Sequence, residues 1–470
     1  MILPADAALS AAVALPLLGA LAAFAAPRAA VGIAIAFCWA NLALAAALHG
    51  MTGAETPLGG WAAPLGIGLR VDGLAWPFIA LTAAVMALTA SGGGARAFLA
   101  KPGAAALWLF LLAGLNALFL SADAFNLYIA LEIVSLSAVA ITALAGAAAA
   151  GPALRYLFVG LGGSLLYLAG VAVLYRATGT LDLGMLSAAG LAGPALAASL
   201  ALMTAGLLMK AGVAPFHFWL PPAHGAASPA ASAVLSGVVV KGALYLLLRL
   251  WTETAPAGAL AGAEPVFRAL GLAALAAGAL GATRATRLKT VIAYSTVLQV
   301  GYVVLALGFA AETPLAVKSA IGFVIAHGLA KAGVFVAAGS IRAANGHDRI
   351  DELADPGPRL GPAKGAVALG AIALMGLPPS GGFLAKWTLA EAALLRGHWW
   401  VAPMLVGGAI LTSLKMVRIA DGLVRTPAPD APPPPSDIPR GWSALALAAL
   451  AMAAGFAGPE LDRLVLETAP

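Results

Sequence analysis

Five ionisable side chains stand in surroundings that are otherwise almost all Ala, Leu, Gly and Val. They are Glu132 in "FNLYIALEIVSLS", Lys210 in "LLMKAGVAPFHFWLPPAH", Lys241 in "SGVVVKGALYLLLRL", Lys331 in "VIAHGLAKAGVF" and Lys386 behind "GLPPSGGF". His327 precedes Lys331 by four residues, so on a helix the two share a face. Each such charge near the centre of a membrane helix costs about 2.5–3.5 kcal/mol on insertion scales. Pairing, hydration or loss of the charge has to offset that cost. An amine that changes charge in an apolar interior can take up and release protons, and that is the chemistry these residues suggest.

Each position also admits a plainer reading. Glu132 is either a structural ion-pair partner or a relay carboxylate paired with Lys210. Lys210 either snorkels from a helix end or titrates beside the break expected at Pro215, five residues on. His327 either hydrogen-bonds a neighbouring helix or works with Lys331. Gly237 and Gly242 leave room beside Lys241 for water or a close helix. Lys386, behind Pro378-Pro379 and Gly381-Gly382, repeats the pairing of a lysine with a helix break. His217 and His224, on either side of Trp219-Leu220-Pro221-Pro222, either tune access or bond loop carbonyls.

Other chemistries lack a pattern. There is no P-loop, no GxGxxG after a strand, no nucleophile–base arrangement and no His or carboxylate pair at metal-ligand spacing. Cys38 is the single cysteine, which excludes a disulfide framework and a Cys-based metal site. No cofactor, metal or catalytic site is expected in this chain.

These residues need elements that hold them inside a membrane. Of 470 residues, 62% are hydrophobic and 10% charged, too few charges to cover a water-exposed surface. The solvent is therefore lipid, and the fold class is an all-α polytopic membrane protein. About fourteen apolar segments are expected, near 5–25, 29–48, 71–90, 104–121, 125–146, 154–176, 195–220, 228–251, 266–283, 291–310, 315–341, 364–391, 399–421 and 441–458. The run Leu9–Phe24 has no basic stretch before it and carries Asp6 upstream, so it reads as a first span and not as a cleaved signal peptide. Loops after odd-numbered segments carry fifteen Lys or Arg and loops after even-numbered segments six. That asymmetry puts the odd loops in the cytoplasm and both termini on the other side. The net charge of +6 follows from this topology and does not indicate a nucleic-acid partner.

Lys210 with its break in segment seven and Lys386 with its break in segment twelve suggest two inverted five-helix repeats, 104–252 and 266–421. An N-terminal three-helix part (1–100), a Pro-rich cytoplasmic linker (422–440) and a rather isolated C-terminal helix (441–470) complete the expected layout. The charged stretch Arg342–Lys364 reads as a solvated loop.

The stretches "MKAGVAPFHFWLPPAH" with "SAVLSGVVVKGALYLLLRLW", "FNLYIALEIVSLS", "RLKTVIAYSTVLQVGY", "HGLAKAGVF" and "GLPPSGGFLAKW" together resemble the proton-conducting, antiporter-like membrane subunits. These occur in respiratory complex I, membrane-bound hydrogenases and Mrp-type cation/proton antiporters. The resemblance runs from about Asp72 to Lys415. It implies fourteen helices with two linked half-channels, and a relay of Glu132, Lys210, Lys241, His327, Lys331 and Lys386. A lysine at 386, with no long lateral helix after the last segment, is most similar to the D subunits of the Mrp type. Pro222 departs from the family, which often has an acid there, and Ser228-Pro229 replaces a common Thr-Pro. The implied partners are other membrane subunits of an antiporter or respiratory-type complex, the lipid bilayer, protons and Na+. The implied location is the inner (plasma) membrane. A redox-driven pump subunit and a passive scaffold held by buried charges are the competing functions.

Overall fold

The computed structural model describes residues 4–189, 192–427 and 434–466. Residues 428–433 of the expected Pro-rich linker, and 467–470, lie outside the described part. Among the described residues ten helices are long and apolar enough to cross a membrane, or twelve if each of two bent pairs counts as one span. The shorter apolar helix Ala104–Leu120 and the broken pair Gly361–Met375 and Gly381–Leu394 bring the number to the expected fourteen. The chain is thus a multi-pass membrane protein.

Its surface is inverted relative to a water-soluble fold. On the helix Ala150–Thr178, Leu154, Phe158, Leu161 and Leu165 recur every three or four residues and are exposed. On Val401–Gly422, Val406, Ile410, Leu414 and Val417 do the same. Such stripes cost nothing against hydrocarbon, and they mark the lipid-facing perimeter. The centre is formed by Pro229–Thr254, Leu288–Leu307 and Pro314–Asn345, whose apolar stretches are almost wholly buried.

Three structural differences from the sequence expectations bear on the site. The seventh span breaks earlier than Pro215. The helix Pro194–Ala211 ends one residue after Lys210, where Gly212 adopts φ 66° and the N–H groups of Gly212 and Val213 close on the last-turn carbonyls. A left-handed glycine ends a helix by itself, so the proline only keeps it from restarting. After a short turn the chain continues as Leu220–Ala226. The twelfth span breaks in the same way at Gly376 (φ 75°), and Ser380 then caps Gly381–Leu394.

The eighth span is continuous but not uniformly α-helical. It runs as α-helix Pro229–Val234, π-helix Leu235–Val239, α-helix Val240–Arg249 and π-helix Leu250–Thr254. Lys289, one of the fifteen charges assigned to odd loops, and Arg249, one of the six assigned to even loops, are buried inside helices. A basic residue near the end of an apolar run looks the same in sequence whether it faces water or the protein interior.

Two further expectations are corrected. The last helix, Trp442–Ala453, is isolated only in sequence, since Ala444, Leu447, Ala448 and Ala451 form one buried face. That face packs on Pro314–Asn345 and Gly361–Met375. The stretch Arg342–Lys364 is also not merely solvated. Ile350, Leu353 and Leu360 are buried, Leu288 N–H donates to the Asp348 carbonyl at 2.7 Å, and Lys364 pairs with Asp355 at 2.8 Å. Outside the helices the described residues form one short hairpin, Glu55–Pro57 paired with Gly68–Arg70.

Candidate functional site

The first group of polar side chains depends on small residues. Gly163 on Ala150–Thr178 and Gly206 on Pro194–Ala211 touch backbone to backbone, and a Cβ on either would strike the other's carbonyl. Ser164 follows the first glycine, and Lys210 lies one turn beyond the second. This close approach delivers both to Glu132 on Ala124–Ala143, a helix capped by the Asp123 side chain. Lys210 Nζ donates to Glu132 Oε1 at 3.0 Å and to Ser135 Oγ at 2.5 Å, and Ser164 Oγ donates to the same carboxylate. Ser135 is three residues after Glu132, hence on the same helix face. The side chain of Lys210 is 5% exposed and that of Glu132 18%, so the pair sits near the perimeter. Trp219 Nε1 donates at 3.0 Å to the Met209 carbonyl, which also accepts from the Gly212 N–H, and its ring stacks on Tyr156.

The second group lies in the core. Lys241 Nζ contacts His327 Nδ1 at 3.1 Å and donates to the Ser236 carbonyl, five residues earlier in its own span. The π-helical turn changes the carbonyl register there. Gly237 and Gly328 allow the eighth and eleventh spans to cross closely at this level, with the Gly328 carbonyl 3.3 Å from where a Gly237 Cβ would stand. The space that these glycines leave is filled by a helix. Ser236 Oγ is 2.9 Å from Thr296 Oγ1, and Thr296 Oγ1 donates to the Ile292 carbonyl at 3.3 Å. Lys331 Nζ donates to that carbonyl and to Ser295 Oγ. A continuous set of contacts thus joins Lys241 to Lys331 through the tenth span, and His327 Nε2 has no partner among the described residues.

The third group surrounds Lys386. Its ammonium donates to the Met375 carbonyl at 2.7 Å, at the free C-terminal end of the preceding half-helix. The negative end of a helix dipole favours a cation there. The ammonium also lies 5.1 Å from the Tyr302 ring centre, and Gln299 donates to the neighbouring Leu374 carbonyl at 2.8 Å. Lys386 therefore follows its break and caps it, whereas Lys210 precedes its break and pairs with an acid. Among the described residues, of Lys210, Lys241, Lys331 and Lys386 only Lys210 has a carboxylate partner.

His224 is buried and stacks on Phe335 at 5.0 Å, and its Nδ1 has no partner among the described residues. Nearby Lys289 Nζ donates to the Ala227 carbonyl. His217 is half-buried and faces a groove with Arg284, Thr290 and Tyr294, apart from the lysines. Among the described residues no three His, Cys, Asp or Glu side chains converge as metal ligands. In the loop after the eleventh span, burial pushes the Asp355 carboxyl up. The Lys364 ammonium and the Gly357 N–H outweigh it and hold the group below its ordinary value.

The sequence model of the family described as NADH:quinone oxidoreductase/Mrp antiporter, TM matches residues 121–412. That range contains every group above. The chain belongs to this family. The N subunit of the NADH-quinone oxidoreductase of Desulforudis audaxviator is 34% identical over 370 residues, covering 77% of this chain and 74% of that protein. The D subunit of the Na(+)/H(+) antiporter of Alkalihalophilus pseudofirmus is 29% identical over 384 residues, with 77% and 74% covered. A chain of the Mrp complex from Dietzia sp. superposes with a TM-score of 0.91 at 26% identity, covering 99% of this chain and 97% of that one.

Within this NADH:quinone oxidoreductase/Mrp antiporter architecture, the residues singled out from sequence fall into three separate groups. Glu132 meets Lys210, Lys241 meets His327 and indirectly Lys331, and Lys386 stands alone. Direct hydrogen bonds among the described residues do not link Lys210 to Lys241 or Lys331 to Lys386. Ser135, Ser164, Ser236, Ser295 and Thr296 escaped sequence reasoning, as did Lys289, Gln299 and Tyr302. Several of them stand in "RLKTVIAYSTVLQVGY", a stretch recognisable as a motif without any role for its polar positions. Their polarity inside an otherwise apolar span was the available signal.

Proposed function

We propose that this chain is a proton-translocating membrane subunit of a multisubunit cation/proton antiporter of the Mrp type. Protons reach Lys210, pass by way of Lys241 to His327 and Lys331, and leave through Lys386. Glu132 sets the charge of Lys210 by pairing with it in one state and releasing it in another. The gaps between the three groups are crossed by water or by lysine side-chain motion. Segments 104–252 and 266–421 act as inverted repeats, each contributing one half-channel around its broken span. The driving step comes from partner subunits in the same plasma membrane, and both termini lie on the non-cytoplasmic side. His217 and His224 tune access.

The observation that carries this reading is the buried row of lysines, Lys210, Lys241, Lys331 and Lys386, in which only Lys210 has a carboxylate partner among the described residues. A purely structural charge network would pair them, because an unpaired buried charge is strongly destabilising. Amines held by carbonyls, hydroxyls and a histidine are tolerated in either protonation state. Lys210→Ala and Glu132→Ala are expected to abolish proton-coupled cation transport in vesicles while the complex still assembles. Wild-type transport by either variant sinks the assignment. Assembly failure in every charge variant, with no selective loss of transport, would instead indicate a scaffold.

A redox-driven pump of the complex I type is the second reading, favoured by the 34% identity to an NADH-quinone oxidoreductase subunit. Purification from native membranes separates the two by which subunits come with the chain.

A further inference from the structure

The third span does not run straight out of the membrane. After Ser91 it bends by 88° into the short helix Gly93–Leu99, and the bend lies against the start of the last helix. Glycines permit that approach: a Cβ on Gly92 would stand 2.6 Å from Ser443 Oγ, and one on Gly93 3.1 Å from Pro439. The bend leaves a cavity of about 490 Å³ where the ends of the third, eighth, eleventh and fourteenth spans meet. Pro229, Ala230, Val336 and Ala343 give it an apolar wall. Arg96 from the short helix and Arg440 from the end of the linker line it as well, and both are exposed. Among the described residues neither guanidinium makes an ion pair, and no carboxylate lines the cavity. Trp442, also in the lining, is exposed, and so is Trp39, whose Nε1 donates at 2.9 Å to Ser91 Oγ at the cavity's edge. Indole rings gather at the level of lipid headgroups. From Trp442 the outer face of the last helix continues with exposed Ala449 and Leu450, seven and eight residues on.

We propose that this cavity holds the phosphate of an anionic phospholipid between Arg96 and Arg440, with an acyl chain laid along the face of Trp442 and Leu450. The site is independent of the proton relay. A phosphodiester carries one negative charge, and its oxygens accept from guanidinium N–H groups in pairs, which the planar fork of arginine matches. A soluble phosphate would satisfy the arginines but leave the apolar wall and the tryptophan face without an occupant. A phospholipid covers both. On the orientation proposed above the two arginines face the cytoplasmic leaflet, whose anionic lipids are drawn to basic pockets between spans. Once bound, the lipid ties the bend of the third span to the helix that covers His327 and Lys331.

The test uses the whole complex, purified in mild detergent, stripped of loosely held lipid and titrated with phosphatidylglycerol or phosphatidylcholine. Native mass spectrometry counts the lipid retained. The unaltered complex is expected to prefer phosphatidylglycerol. Arg96→Gln with Arg440→Gln should lose one tightly held molecule of it, its affinity weakened about thirtyfold, the scale of two arginines at an anionic surface. Arg96→Lys with Arg440→Lys keeps the charges and should keep most of the binding. A photoreactive phenylalanine analogue at Gly94, where a Cβ would meet only Pro439 at 3.9 Å, should label phospholipid in the complex. That labelling decides if the glutamine variant fails to assemble. Unchanged phosphatidylglycerol binding in the glutamine variant overturns the proposal. Displacement of the lipid by inorganic phosphate alone overturns it in favour of a soluble anion, and a cross-link to a neighbouring subunit in favour of a protein interface.

Discussion

Thr296 offers the sharpest single-atom question. Its hydroxyl connects Ser236 on one span to the Ile292 carbonyl that receives Lys331. Thr296→Val keeps the shape and removes only that hydroxyl. One lost hydrogen bond is worth about 0.5–1.5 kcal/mol net, so the folded protein should tolerate it. Transport is expected to fall by about a hundredfold, the low end of what one proton-transfer group contributes, and Thr296→Ser should restore it. A vesicle assay beside a thermal unfolding curve separates the two effects, and normal transport in the valine variant excludes Thr296 from the path. Glu132, Lys210, Lys241, Lys331 and Lys386 were legible in sequence because a charge in an apolar run has a cost that something must offset. Thr296 and Ser164 were not, because a hydroxyl in a membrane helix can satisfy itself on its own backbone. Only the tertiary arrangement shows which hydroxyls turn toward a lysine.

At the scale of elements, the glycines at helix crossings set how closely the polar groups approach. Gly328→Val would meet the Gly237 carbonyl and the Leu81 side chain, each 2.7 Å from the first added carbon. Overpacking of this kind costs about 1–3 kcal/mol. A lowered unfolding temperature is expected for it and none for Gly151→Ala, where nothing lies within 4 Å. The loop after the eleventh span supplies a pH-dependent case. Because the folded Asp355 carboxyl is held below the ordinary 3.8, its contribution is complete above that value. It fades as the pH falls through the lowered one. Asp355→Asn should therefore loosen the loop at neutral pH, in the direction that acid well below the ordinary 3.8 loosens the wild type. Limited proteolysis at both pH values checks this, and a variant as protected as wild type at neutral pH contradicts it. The spans themselves were readable because lipid demands about 20 apolar residues for each crossing. The position of the seventh break was misread by a few residues because proline is the more conspicuous breaker, although Gly212 ends the helix at lower cost. The π-helical stretches were not readable, since no apolar periodicity distinguishes them inside a span buried on all sides.

For the whole molecule, the distribution of Lys and Arg between loops makes orientation testable. A reporter active only outside the cytoplasm, fused after residue 466, should be active, and one inserted near Lys101 should not. The reverse pattern would invert the entire path. Removal of the chain from Gly441 onward should destabilise the protein as a whole. The helix Trp442–Ala453 covers the span that carries His327 and Lys331, and Gly333 there meets the Ala444 carbonyl. Loss of folded protein on size-exclusion chromatography would register that cover.

The π-helical stretch Leu235–Val239 also has a consequence for how this chain can change over generations. It holds a surplus residue in the central span, so every residue beyond it is set about 100° around the axis from where an unbroken α-helix would put it. Substitutions there can be absorbed one at a time. Deleting one residue within it can be absorbed as well, because closing to plain α-helix takes up the surplus and leaves Lys241 and the residues after it on the same faces. A deletion within Val240–Arg249 would instead turn everything beyond it by about 100°, so the eighth span should tolerate a change of length at Leu235–Val239 and not in the α-helical turns that follow.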